Sequence, residues 1–166
     1  MRLTQWTDYS LRVLMYCARN EYRDTAPTVS EIAQIHDISR SHLTKIVMTL
    51  AAHGWLETSR GRGGGLRLQK PADQIVLGEV IRQTETDFDL VECFNADMNA
   101  CRLDGSCKLK FTLQEALNQY LRVLDGVTLA DLVSQASSGF SAETAIDVKD
   151  IKRKEANQRR TTSTIS

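Results

Sequence analysis

The sequence predicts a mainly α protein with a small β-hairpin: a winged helix-turn-helix domain followed by a long dimerisation helix. Three observations carry this prediction: two short helical segments following a first helix, a glycine-rich tip between two strand-like segments, and an apolar stripe about four helical turns long near residue 109. We expect a winged domain over residues 1–71, a cluster-binding loop with the dimerisation helix over 72–133, and a disordered basic tail over 134–166.

The first helix is predicted from Asp8 to about Arg19, with Thr7 as its N-cap. Its apolar residues recur at three- and four-residue spacing, which places them on one face: Leu11, Leu14, Met15 and Ala18.

Two further helices follow, joined by a tight turn. The segment Thr28-Val29-Ser30-Glu31 is a capping box, after which Ile32, Ala33 and Ile35 are expected to point inward. Ser39 is the expected cap of the third helix. That helix is amphipathic, with Leu43, Ile46, Val47 and Leu50 on one side and Arg40, Ser41, Thr44 and Lys45 on the other.

A β-hairpin is predicted directly after the third helix. Gly54 ends the helix, residues 55–59 form one strand, and residues 66–69 return until Lys70-Pro71. The tip, residues 60–65, reads Arg-Gly-Arg-Gly-Gly-Gly. A nucleotide-binding phosphate loop is disfavoured because no Gly-Lys-Ser/Thr follows these glycines.

Past Pro71 the pattern predicts a helix around residues 75–81, an acidic stretch over 85–92, the cysteine loop, and a long helix from about Leu109. The apolar stripe of that long helix fits either a core helix or a dimer seam. The dimer is favoured, because helix-turn-helix modules usually bind paired half-sites as dimers.

The charge is uneven although the formal net charge is zero. Residues 40–70 hold six Lys or Arg residues against one acid, Glu57, so this part suits an anionic partner. The second helix of a helix-turn-helix enters the major groove, and a slim basic wing enters the minor groove. We therefore expect a homodimer on double-stranded palindromic DNA, contacting it through Ser39, Arg40, Ser41, His42, Lys45, Arg60 and Arg62.

Three of the four cysteines fall in one loop, as Cys93-x7-Cys101-x5-Cys107. Thiolates on one loop suit an iron–sulfur cluster, whereas structural zinc favours closer ligand spacing. Unrelated thiols, a disulfide switch and a thiol–disulfide redox enzyme remain open. Cys17 is expected to be a small buried hydrophobe.

Other enzyme classes and a membrane location are disfavoured. No Ser/His/Asp order or paired buried carboxylates stand out, so we expect no enzyme. No secretory signal or membrane-length apolar run occurs, which predicts a cytoplasmic protein without a membrane partner.

Together, several motifs make the chain resemble the Rrf-type family of winged-helix repressors, most closely its nitric-oxide-sensing NsrR branch. They are Met1-Arg2-Leu3-Thr4, Thr7-Asp8-Tyr9, the wing 60–68, Val91-Glu92-Cys93-Phe94, Cys101-Arg102-Leu103 with Cys107, and the segment 124–132.

This resemblance implies a homodimer with one iron–sulfur cluster per subunit, [4Fe-4S] or alternatively [2Fe-2S], on which DNA binding depends. Its ligands would be Cys93, Cys101, Cys107 and the partner's Asp8. Nitrosylation of the cluster by nitric oxide would release the DNA and turn on repressed genes. An iron-responsive or iron–sulfur-status regulator of the same family is the alternative.

Overall fold

The computed structural model describes residues 2–59, 61, 64–95, 97–103 and 106–134. Arg60 and Arg62 at the hairpin tip, and the predicted tail from residue 135 onward, lie outside the described residues. The described residues up to Ser134 belong to one compact unit.

Helix α1 (Gln5–Arg19) begins earlier than predicted. Its N-cap is Thr4, whose Oγ1 accepts a hydrogen bond from the Thr7 amide at 3.3 Å, so the prediction of Thr7 as the cap is wrong. Thr7 is instead fully buried within the first two turns. Of the four residues predicted on its apolar face, Leu14 and Ala18 are buried, and Leu11 and Met15 are partly buried against the same core.

Helices α2 (Val29–His36) and α3 (Arg40–Ala52) confirm the helix-turn-helix. The capping box of Thr28 and Glu31 is present, and Asp37 makes the turn between the helices in the left-handed region, with φ of 52°. All four residues predicted to point inward from α3 are buried: Leu43, Ile46, Val47 and Leu50. Ile35 was assigned inward wrongly, since it is 56% exposed.

The hairpin pairs β1 (Leu56–Thr58) with β2 (Leu66–Leu68) in antiparallel register, with Leu56 opposite Leu68. Gly54 leads out of α3 with φ of +74°, which favours glycine and confirms the predicted helix stop. The wing is also fixed to the chain before α2, because the Leu66 amide donates to the Pro27 carbonyl at 2.8 Å.

Helices α4 (Leu77–Thr84), α5 (Lys108–Asp125) and α6 (Leu129–Val133) make up the second half, with short 3-10 turns at Ala72–Gln74 and Glu92–Phe94. The end of α5 returns to the start of α4: the Leu77 amide donates to the Val127 carbonyl at 2.9 Å, and Arg82 Nη2 donates to Asp125 Oδ2 at 2.7 Å. The mainly α fold with a two-stranded hairpin is therefore confirmed.

One hydrophobic core joins the helix-turn-helix to this second half. It contains Leu14 and Leu43 together with Ile75, Val80 and Leu129. Side chains from before and after residue 71 therefore pack in the same core. The division of the chain into three regions stays a prediction. Within the described part of the chain, no helix is both long and apolar enough to span a bilayer.

Candidate functional site

The outer face of α3 is polar and exposed along its length. Its exposed residues follow helical spacing: Arg40, Ser41, Thr44, Lys45 and Met48. The opposite side of the helix is buried in the core. Neither Arg40 nor Lys45 forms an ion pair with an acid of the described residues, so both cations are free to meet an anionic partner.

Ser39 and His42 have structural contacts beside their predicted role at DNA. Ser39 Oγ caps α3 by accepting from the His42 amide at 3.2 Å. The His42 ring packs on α1, with its centroid 5.7 Å from that of Trp6 and 5.5 Å from that of Tyr9. His42 therefore points towards α1, and its contact with bases stays a prediction.

Arg67 fixes the hairpin to the end of α1. Its Nη1 donates to the Glu21 carbonyl at 3.2 Å, a contact that no local sequence pattern indicates. This guanidinium is therefore engaged within the chain. The tip cations that were expected to contact DNA, Arg60 and Arg62, lie outside the described residues.

The three loop cysteines are free thiols and partly buried. Cys93 lies in the 3-10 turn at 92–94, and Cys107 directly precedes α5 as its N-cap. Side chains hold the segment between them: Asn99 Oδ1 accepts from the Cys101 amide at 3.0 Å, and Glu92 Oε1 accepts from the Ala100 amide at 2.8 Å. Sequence reasoning missed both of these bonds.

The three loop cysteines suit an iron–sulfur cluster, because the iron atoms of such clusters are bound by cysteine thiolates. Within the described residues, however, no three Cys, His, Asp or Glu side chains are grouped closely enough to hold a metal ion. Binding would therefore require the loop to draw its sulfurs together. The three loop cysteines are therefore candidate ligands that this structure does not bring together as a group of three.

Cys17 is chemically set apart from the loop cysteines. It is 2% exposed in the core, and burial raises the pKa of its thiol to about 12. A thiol with such a pKa remains protonated at neutral pH and is a poor nucleophile and a poor metal ligand. This confirms the expectation that Cys17 is a buried hydrophobe.

Native protein at pH 8 should therefore take up iodoacetamide at Cys93, Cys101 and Cys107 at least about tenfold faster than at Cys17, because the thiolate is the reactive form. Mass spectrometry of the intact chain over time measures this directly, with denatured protein as the control that takes four labels. Four labels at one common rate in the native protein would contradict the burial of Cys17.

Asp8 lies in the first turn of α1 with its side chain 44% exposed. Arg12, one turn later, holds both carboxylate oxygens: Nε lies 3.1 Å from Oδ1 and Nη2 lies 2.8 Å from Oδ2. The hydrogen bond to Asp8 raises the pKa of Arg12. A metal ion bound by Asp8 would have to share or displace this arginine.

Glu85 connects the start of the loop region to the start of α1. Its Oε1 accepts from the Thr4 amide at 2.8 Å and from Thr4 Oγ1 at 3.3 Å. The residue that caps the helix carrying Asp8 is thus held by the residue that ends α4. No sequence signal pairs two residues 81 positions apart.

Comparisons with known proteins agree with this architecture. The sequence profile of the Rrf2 family, described as "Iron-dependent Transcriptional regulator", matches residues 3–135. The HTH-type transcriptional regulator NsrR of Halalkalibacterium halodurans is 48% identical over 134 residues, which cover 81% of this chain and 91% of that protein. Its namesake from Bacillus subtilis is 48% identical over 133 residues, covering 80% and 90%.

A solved structure shares the fold. CymR, the global cysteine regulator of Bacillus subtilis, superposes with a TM-score of 0.62 at 26% identity, and the match covers 82% of this chain and 99% of the CymR chain. The relatives named here are regulators rather than enzymes, so the chain is not an enzyme. The thiol–disulfide enzyme is therefore set aside.

Proposed function

Because the chain belongs to the Rrf2 family of transcriptional regulators, we propose that it represses transcription as a homodimer whose DNA binding depends on an iron–sulfur cluster that senses nitric oxide. DNA-binding regulation follows from the family and from the winged helix-turn-helix. The exposed face of α3 supports the mode of binding: Arg40 and Lys45, which form no ion pair with an acid among the described residues, lie on a helix whose other side is buried in the core.

In this proposal α3 lies in the major groove and the wing lies beside it. The N-terminal residues of a recognition helix reach the base edges, which assigns base contact to Arg40 and its neighbours Ser39 and Ser41. Lys45, one turn further, contacts phosphate, and the wing tip cations Arg60 and Arg62 contact the minor groove or the backbone.

Replacing Arg40 with alanine should relax the preference at one base position by about 1–2 kcal/mol, because an arginine pairs bidentately with guanine. Lys45→Ala serves as the matched control: it should weaken binding to all sequences alike and reduce the salt dependence of the affinity. Binding to a selected operator and to its single-base variants measures both effects. Equal losses for Arg40→Ala on specific and random DNA would contradict base readout.

Helix α5 supports the proposed dimer. Of its 18 residues, Leu117 is the one that is buried within the chain. Leu109 and Val123 lie about 40° apart around the helix and are 62% and 63% exposed, which leaves apolar side chains near both ends of one face in water. A second copy of the helix packed against this face would bury these two residues and set the distance between the two α3 helices.

The proposed cluster ligands are the thiolates of Cys93, Cys101 and Cys107 and the partner's Asp8. When bound, the cluster would supply iron with which nitric oxide reacts. The chain's own part is structural: ligation would join the loop of one subunit to α1 of the other, and α1 packs directly on α3 through Trp6, Tyr9 and His42. Release of Asp8 from that joint would thereby loosen the placement of α3 on DNA.

An iron-status signal is the second candidate, and the family description as iron-dependent favours it. Asp8 discriminates between the two. A carboxylate is a harder, more weakly held donor for such a cluster than a thiolate, so its iron should be the most accessible to nitric oxide.

Asp8→Ala should retain the protein fold, weaken operator binding before any nitric oxide is added, and increase the rate at which the cluster reacts with nitric oxide, because the iron would lack its carboxylate. DNA anisotropy and stopped-flow absorbance measure the two effects. Arg12→Ala, which leaves the carboxylate in place, is the control. Unchanged nitric oxide reactivity in Asp8→Ala, together with DNA release on iron chelation alone, would favour the iron-status signal.

A further inference from the structure

The hydrogen bond between Glu92 and Ala100 joins the two parts of the loop that carry Cys93 and Cys101. Glu92 directly precedes Cys93, and Ala100 directly precedes Cys101. The 2.8 Å hydrogen bond from the Ala100 amide to Glu92 Oε1 therefore links the side chain of the residue before Cys93 to the backbone of the residue before Cys101. Cys101 is held a second time, because its own amide donates to Asn99 Oδ1 at 3.0 Å.

The hydrogen bond between Glu92 and Ala100 would lower the entropic cost of metal binding. Two thiols separated by a flexible segment must be brought together when a metal ion binds, and that closure costs conformational entropy. A hydrogen bond within the chain that does not depend on the metal removes part of this cost, as preorganisation does for any ligand. A carboxylate that accepts from a backbone amide makes a charge-assisted bond, roughly twice as strong as a neutral one.

We propose that Glu92 is a positioning residue that preorganises Cys93 and Cys101 as a two-thiolate site for transition-metal ions. The identity of the physiological metal, the iron of the cluster, rests on the proposed function, whereas the positioning requires only the two thiolates. Glu92 Oε1 accepts from the Ala100 amide, and the role proposed for Glu92 is to hold that backbone segment rather than to ligate the metal ion.

Titration of reduced, metal-free, full-length protein with Co²⁺ tests this, because thiolate-to-cobalt absorption reports sulfur ligation. Glu92→Ala should weaken Co²⁺ affinity about fivefold to tenfold, the effect of losing one charge-assisted bond. Glu92→Gln retains an acceptor oxygen at the same reach but makes a neutral bond about half as strong, so it should weaken Co²⁺ affinity only about twofold to threefold. Asp89→Asn, which removes an acid from the same segment without touching this bond, should stay within about twofold and controls for charge.

Equal Co²⁺ affinity for Glu92→Ala and wild type would overturn the proposal. So would a loss in Glu92→Gln as large as in Glu92→Ala, which would make the carboxylate a ligand, or the absence of thiolate-to-cobalt absorption in wild type. Iron and sulfide loading of wild type is measured separately. Failure to load a cluster, with the Co²⁺ result as expected, would reject the proposed function and leave the role of Glu92 standing.

Discussion

Replacement of any one loop cysteine by serine should abolish cluster loading and lower the affinity for operator DNA by about a hundredfold, within the usual range of coupling between two sites. The thiolates of Cys93, Cys101 and Cys107 are the proposed ligands, and a serine hydroxyl is a hard, protonated donor that does not replace them. Iron and sulfide content and DNA anisotropy on anaerobic protein measure the two effects.

Cys17→Ala is the matched control for this series. Cys17 is 2% exposed in the core and is not a proposed ligand, so its variant should load a full cluster and bind DNA as wild type does. The loop variants should unfold within a few degrees of metal-free wild type, because their side chains are only partly buried. A loop variant that keeps both its cluster and its DNA affinity would remove that cysteine from the ligand set.

Gly65→Ala should lower the free energy of unfolding by about 2–3 kcal/mol, the upper part of the range for overpacking. A Cβ at this position would lie 2.6 Å from the Pro27 carbonyl oxygen and 2.8 Å from that of Ala26. Both neighbours are backbone atoms, and the strand beside them is held by the 2.8 Å bond from the Leu66 amide to Pro27. Relief of the clash would move the hairpin away from the chain before α2.

Gly126→Ala is the control for the loss of glycine as such. Its Cβ would approach nothing closer than the Val123 carbonyl oxygen at 3.6 Å, and its φ of −85° suits any residue. We expect a change within about 0.5 kcal/mol. Chemical denaturation measures both variants, and DNA binding of folded Gly65→Ala should fall as the wing shifts. Equal stability of the two variants would contradict the close approach at Gly65.

Local signals in the sequence predicted the elements well. The capping box of Thr28 and Glu31 and the buried residues of α3 depend on contacts within a few positions along the chain, and period alone places them. Ile35 was misplaced because it follows Ala33 by two residues, about 200° around a helix, and so leaves the buried face.

Long-range contacts explain what the sequence could not predict. Thr4 and Thr7 are both residue types that can cap α1. In the structure Thr4 is the cap, and its amide and hydroxyl also donate to Glu85, 81 positions away along the chain. The bond from Ala100 to Glu92 likewise requires the path of the loop, which no periodicity encodes. The sequence shows that three cysteines lie close together along the chain, but their spacing alone does not establish that their three sulfur atoms meet in space.

The most direct test of the account measures iron, acid-labile sulfide, native mass and operator binding on the same anaerobically purified protein, before and after stoichiometric nitric oxide. We predict a dimer with one cluster per subunit that binds DNA and loses it on exposure to nitric oxide. A metal-free dimer that binds DNA equally well with and without nitric oxide would contradict the sensing role and leave the winged helix-turn-helix regulator intact.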